Sequence, residues 1–252
     1  TCPGCLQPVI AKCGTKRINH WAHRAETACD RWWEPETAWH RAWKNNFPVE
    51  WQENIRHDNQ TGEKHIADVL TSHGLVMEFQ HSHIDPMERM ARERFYKNMV
   101  WIADGTRLKR DYTRFAKGLD NFRTTAKQGF FLVLFPDECF PAAWLDSTVP
   151  VIFDFRGTEP SDQPDMIRDT LWCLLPGRAE GQAVVIAMRR QDFVDTTFQR
   201  PQLFPVHEIV AAFAENIRQQ RQLAEMQASR NYMHRLYQQN TRRPYRRGFR
   251  RF

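Results

Sequence analysis

Apolar and polar positions along the chain follow two periods, and each period predicts a different element. Trp39, Trp43 and Phe47 recur every four residues beside a polar stripe of Glu36, His40 and Lys44 at the same spacing. A helix sets such residues on adjacent faces, one packed and one presenting ionisable groups. Ile66–Leu70 and Leu75–Phe79 are apolar except for Asp68 and Glu78, as expected of buried strands that each carry one carboxylate. Ser72, His73 and Gly74 between them suit a three-residue hairpin loop with glycine in the left-handed conformation. That loop pairs Thr71 with Leu75, so counting back sets Asp68 opposite Glu78, with Cβ atoms about 5 Å apart. Gln80 shares the face of Glu78 because side chains alternate along a strand. Asp85, Pro86 and Glu88 form a helix start with an N-cap, a first-turn proline and a capping-box acid. Arg92 and Tyr96, four residues apart, share a face of that helix. Met99–Ala103 reads as a further buried strand.

These patterns divide the chain into five blocks. Residues 1–30 form a cysteine and histidine module, and residues 31–106 read helix, strand, strand, strand, helix, strand. Residues 107–204 hold four apolar runs, Phe130–Phe135, Val149–Phe155, Thr170–Leu175 and Ala183–Met188, and are expected to be β-rich with no assigned chemistry. Residues 205–240 carry helical spacing, and residues 241–252 form a basic extension. The expected fold class is therefore α/β (α+β), with no internal repeat. No apolar run exceeds the length of Phe130–Phe135, far short of the roughly 20 residues that cross a bilayer, so no membrane association is expected. Thr1 rather than Met opens the sequence, which leads us to expect residues upstream and leaves a leader peptide untestable.

Charge changes the picture when it is split along the chain. The net charge is +6, but residues from Asn216 onward carry ten Arg and one Glu, or +9, which leaves 6 − 9 = −3 for residues 1–215. Basic character is concentrated at the C-terminus, where Arg246 and Arg247 lie among Tyr245, Phe249 and Phe252. Cations for phosphates with aromatic faces for bases suit single-strand or non-specific DNA binding, and a protein partner docking through this region is the other expectation. Four of six cysteines crowd the N-terminus, which suggests metal binding in a reducing cytosol, and hence a cytoplasmic location, rather than a disulfide framework. Cys2 and Cys5 at C-x-x-C spacing, followed by His20 and His23 at H-x-x-H, supply four ligands for a closed tetrahedral Zn²⁺ site of structural role. Cys13 and Cys29 are alternative ligands. Cys139 and Cys173 lie in apolar surroundings.

The strand carboxylates are the strongest chemical signal. Two acids facing each other from apolar strands are costly to bury without a compensating cation or protons. Mg²⁺ or Mn²⁺ fits, since a hard cation takes two protein carboxylates and completes its shell with water and phosphate oxygens. Phosphodiester hydrolysis follows from such a site, with Gln80 orienting water or phosphate, Glu36 adding a ligand or base, and Lys44 or Arg92 contacting the scissile phosphate. A bland reading of Arg92 and Tyr96 is a solvated helix face with a packed tyrosine.

Cys2-Pro3-Gly4-Cys5, His20-Trp21-Ala22-His23, Glu36 with His40 and Lys44, Ala67-Asp68-Val69, Glu78-Phe79-Gln80-His81-Ser82, and Arg92 with Tyr96 together resemble the competence protein CoiA-like family over roughly the first 105 residues. The resemblance implies a PD-(D/E)xK restriction-endonuclease-like core preceded by a zinc-binding module and followed by a C-terminal β-rich and helical region. It implies that Asp68 and Glu78 are the metal pair, that Glu36 is the helical acid, and that Gln80 stands where most of that superfamily has lysine. Ile66 occupies the position where a basic residue is expected, with His65 and Lys64 upstream. The implied activity is a metal-dependent deoxyribonuclease in DNA uptake and recombination or in phage defence. The alternative is a DNA-binding or scaffolding protein that does not cut.

Overall fold

The computed structural model describes residues 1–2, 7–14, 20–23, 32, 36–58, 62–157 and 165–241. At the N-terminus β1 (Val9–Lys12) and β2 (His20–His23) form an antiparallel pair in which Val9 faces His23 and Lys12 faces His20. Next come α1 (Ala38–Lys44), β3 (Gln52–His57), β4 (Lys64–Leu70), β5 (Val76–Gln80), α2 (Pro86–Tyr96) and β6 (Met99–Asp104). This is the helix, strand, strand, strand, helix, strand order that the sequence pattern predicts. The chain continues through α3 (Lys109–Gly118), β7 (Phe122–Thr124), β8 (Phe130–Val133), β9 (Val151–Asp154), α4 (Met166–Asp169), β10 (Thr170–Leu174), β11 (Ala183–Arg189), α5 (Arg190–Gln199) and α6 (Val206–Thr241).

Nine strands form one sheet in the order β3-β4-β5-β6-β9-β10-β11-β8-β7. β5, β6 and β9 are parallel and the remaining neighbours antiparallel. Blocks 31–106 and 107–204 thus share a single sheet, because β9 of the second block lies directly beside β6 of the first. The central strands alternate between two cores. Val76, Trp101, Phe153, Trp172 and Val185 pack with Tyr96 of α2 and Phe115 of α3. Met77, Ile102, Ile152, Cys173 and Val184 pack with Trp39 and Trp43 of α1, Phe193 of α5, and Ile209 and Phe213 of α6. Both faces are covered, which is why these strands read as near-continuous apolar runs. The links β5–α2–β6 and β6–β9 step across the sheet in the same direction. Right-handed crossovers then put their helices on one face, where α2 and α3 are found.

Local signals hold where they were specific. Gly74 has φ +83° and closes the hairpin, with Thr71 N–H donating to Leu75 O at 2.9 Å. Asp85 caps α2, accepting from the N–H groups of Met87 and Glu88. α3, α4 and α5 are additions to a block expected to be β-rich. α6 packs through its first turns and then leaves the body, with Leu223, Met226, Met233 and Tyr237 exposed. Among the described residues, no helix is long and apolar enough to cross a membrane.

Candidate functional site

The site is built where β4 and β5 stop pairing. Their ladder covers Val69↔Met77 and Leu70↔Val76, the register predicted from the loop. One step further, side chains replace the backbone partners. Phe79 N–H donates to Asp68 Oδ2 at 2.9 Å, and Asp68 N–H donates to Glu78 Oε1 at 3.3 Å. Asp68 and Glu78 therefore stand together, each carboxylate bonded to the other strand.

Lys44 reaches this pair from the last turn of α1. Its Nζ lies 3.0 Å from Asp68 Oδ1 and 3.4 Å from Glu36 Oε1, and it also pairs with Glu53 of β3. Burial works to lower the Lys44 pKa, but the Asp68 and Glu53 carboxylates outweigh it and hold the ammonium above its ordinary value. Glu53 lies between the Gln52↔Val69 and Asn54↔Ala67 pairs of β3 and β4 and has φ +50°, a left-handed backbone that a non-glycine residue adopts at a cost. On the other side Arg92 donates to Glu78 Oε2 at 3.1 Å. Burial of Glu78, with the Asp68 charge beside it, pushes its carboxyl up to about 8 against the pull of Arg92. With Glu88 also on Arg92 and Arg41 at 3.5 Å from Glu36, five acids thus surround three cations. Such a surplus of negative charge in a partly desolvated place favours either a proton or a further cation.

Five predicted residues are placed as follows. Glu36 precedes the N-cap Thr37, so it approaches Lys44 from outside the helix rather than from within it. His40 closes the capping box with Thr37, and its ring also contacts the Phe79 carbonyl at 2.7 Å, so it is packed rather than presented. Arg92 is only 4% exposed and is held by Glu78, Glu88 and the Trp32 carbonyl, between the rings of Trp32 and Trp101. It is an internal counter-ion, not a surface phosphate contact. Tyr96 is buried in the same core. Gln80 is buried, with Nε2 3.2 Å from Ser82 Oγ.

Beyond Gln80 a cavity of about 290 Å³ opens at the carboxyl ends of β5 and β6. His81 lines it and donates from Nδ1 to Asp104 Oδ2 at 2.7 Å. Asp104 is fixed by the Thr106 N–H and hydroxyl at 2.8 and 2.6 Å. Neither this pair nor Glu53 follows from the sequence pattern. His81 lies within the Glu78–Ser82 motif, so its position there was the available signal.

Asp68 and Glu78 supply oxygen donors only, which suits a hard divalent ion; Mg²⁺ takes one or two carboxylates and keeps water for the rest. Among the described residues, no group of three or more His, Cys, Asp or Glu is arranged to hold a metal. For zinc, Cys5, the His20 side chain and Cys29 lie outside the described residues, as do Arg246 and Arg247. Cys2 is buried and its N–H donates to Gln7 O, while His23 is half-buried and Cys13 exposed. Burial, aided by Glu138 and Asp137, pushes the Cys139 thiol up to about 11, and burial raises Cys173 further, so both stay inert in the core.

Residues 1–31 match the model of the competence protein CoiA N-terminal domain. No curated protein and no solved structure matches the chain.

Proposed function

We propose that this chain is a competence-related, CoiA-like nuclease that hydrolyses DNA phosphodiester bonds with Mg²⁺ or Mn²⁺ at a PD-(D/E)xK-type site. The observation that carries the reading is the open end of the β4–β5 ladder, where Asp68 and Glu78 meet with Glu53, Glu36 and the Lys44 ammonium around them. The N-terminal match to a competence protein domain supports a setting in DNA uptake and recombination, and phage defence would use the same chemistry.

A divalent ion held by Asp68 and Glu78 would offset charge developing on phosphorus and make a water more acidic. The chain's own groups do the rest. Lys44, positive throughout the neutral range, can turn from Asp68 to donate to a non-bridging phosphate oxygen. Gln80, oriented through Ser82, aligns water or phosphate from the same strand face. With Asp104 accepting from Nδ1, His81 is left with Nε2 to hold or release a proton at the cavity. Arg92 keeps Glu78 from accumulating uncompensated charge when that carboxyl ionises.

A second reading, a DNA-binding scaffold without cleavage, draws on the same geometry. Lys44 and Arg92 already pair with the acids, and Gln80 adds no positive charge. Incubation with plasmid, linear and single-stranded DNA, in Mg²⁺, Mn²⁺ or chelator, separates the two. We expect metal-dependent cleavage that Asp68→Ala reduces at least 100-fold without loss of folding. Cleavage that survives Asp68→Ala overturns the site, and DNA binding with no cleavage under any metal favours the scaffold.

A further inference from the structure

We propose that a basic groove along α3 docks the sugar–phosphate backbone of a nucleic acid and leads it toward the carboxylate site, an inference that rests on reading the chain as acting on DNA. α3 has two unlike sides. Phe115 is fully buried against the sheet, whereas Lys109, Arg110, Thr113 and Lys117 are exposed and Arg114 is half-buried. The outward side lines an open groove of about 530 Å³. The 290 Å³ cavity shares Arg110 and Arg114 with this groove, includes Arg107, and extends to Gln80 and His81. A continuous surface therefore runs from the basic helix to the strand that carries Glu78.

The charges fit an anion better than they fit one another. Lys109, Arg110, Arg114, Lys117 and Arg107 face three acids among the residues lining the groove and cavity, Asp104, Asp111 and Glu138, and Asp104 is already held by His81 and Thr106. Asp111 is taken by Arg114 at 3.1 Å, and Glu138 accepts from Asn121 at 2.7 Å. The Nε of Arg114 is buried and makes no hydrogen bond among the described residues. Lys109 and Arg110 also stand in the first turn of α3, where the helix dipole disfavours cations, and Leu108 provides no side-chain cap. A phosphate there reverses both penalties, since it accepts from free N–H groups and neutralises the arginines.

The occupant follows from shape and spacing. A concave track that narrows into a cavity admits a strand and excludes a flat lipid surface. Arg110 to Lys117 spans about 10 Å of helix at 1.5 Å per residue, roughly three nucleotide steps at 3.4 Å per strand. Contact with about three phosphates predicts a salt slope of about −2 to −3 from this face alone.

The full chain, in chelator so that nothing is cut, is titrated against a fluorescent 20-nucleotide DNA while anisotropy is read at several salt concentrations. We expect the combined variant Lys109→Glu, Arg110→Glu, Lys117→Glu to bind at least tenfold more weakly, with a salt slope shallower by about 2, and with an unchanged melting temperature. Arg189→Glu, a single reversal at the start of α5 on the opposite face of the sheet, should change affinity less than twofold, while Arg110→Glu alone should exceed that. Wild-type affinity in the combined variant overturns the inference, as does polyglutamate competing as well as DNA. Binding through α3 by a protein that never cuts keeps this inference and sinks the nuclease. Cleavage with unaltered binding in the combined variant does the reverse.

Discussion

Two clusters of carboxylate and cation flank α1, and they differ in whether their charges are satisfied. At the carboxyl end of β9, Asp154 is fully buried. Its Oδ2 accepts from the indole N–H groups of Trp39 and Trp43 at 2.9 and 3.0 Å, and its Oδ1 from Arg190 at 2.7 Å and the Arg156 N–H at 3.1 Å. Every lone pair has a donor, and one guanidinium, stacked 4.0 Å from the Trp43 ring, balances one charge. In the second cluster Lys44 meets three acids, and Glu78 keeps its pKa far above the ordinary range despite Arg92. The first cluster fastens α1 and α5 to the sheet. The second leaves charge uncompensated, and that residue of charge is what makes it a candidate for chemistry. Burial alone does not distinguish them, because both Asp154 and Glu78 are buried; donor saturation does.

The largest effect expected is on the saturated cluster. Asp154→Ala strands two indole donors and an arginine inside the protein, and should cost about 3–5 kcal/mol in denaturant unfolding, the usual penalty for breaking a buried pair. If Asp154→Ala costs less than Asp68→Ala, the contrast between the clusters is wrong. The next effect is a pH slope. Glu78 holds its proton more tightly folded than unfolded, so its contribution to stability is fully present below the ordinary glutamate range and is lost as pH rises toward about 8. Thermal or chemical melts should therefore lose up to about 1.4 kcal/mol per pH unit in that window, and Glu78→Gln should flatten the profile. The smallest effect is at Glu53. Glu53→Gly relieves the left-handed backbone but removes a partner of Lys44, so stability should move by less than about 1 kcal/mol in either direction. A loss of several kcal/mol would mean that the Lys44 pair, not the strand, holds β3 in place.

Much of this arrangement was legible because it is local. The loop Ser72-His73-Gly74 sets the β4–β5 register, and that register alone brings Asp68 to Glu78. The stripe of Trp39 and Trp43 and the Asp85 cap are likewise short-range signals. What escaped reading depends on distant chain. The pairing of β6 with β9 joins residues about fifty apart in sequence, and no periodicity announces a parallel neighbour. Glu53 meets Lys44 from a left-handed position within a strand, which side-chain alternation does not announce. Arg92 looks like a surface arginine until Trp32, near the N-terminal block, is folded over it. Glu36 shares the helical spacing of His40 and Lys44 yet precedes the helix, since Thr37 is the better cap and claims that position.

Lys44 gives the acid-rich end of the sheet a tenant of its own. A polypeptide carrying its counter-ion on a neighbouring helix can finish folding in ion-poor surroundings, and whatever later takes the ammonium's place arrives at walls already built. Loading of the proposed ion would then be an exchange of one positive guest for another, sensitive to ionic competition rather than to assembly of the scaffold.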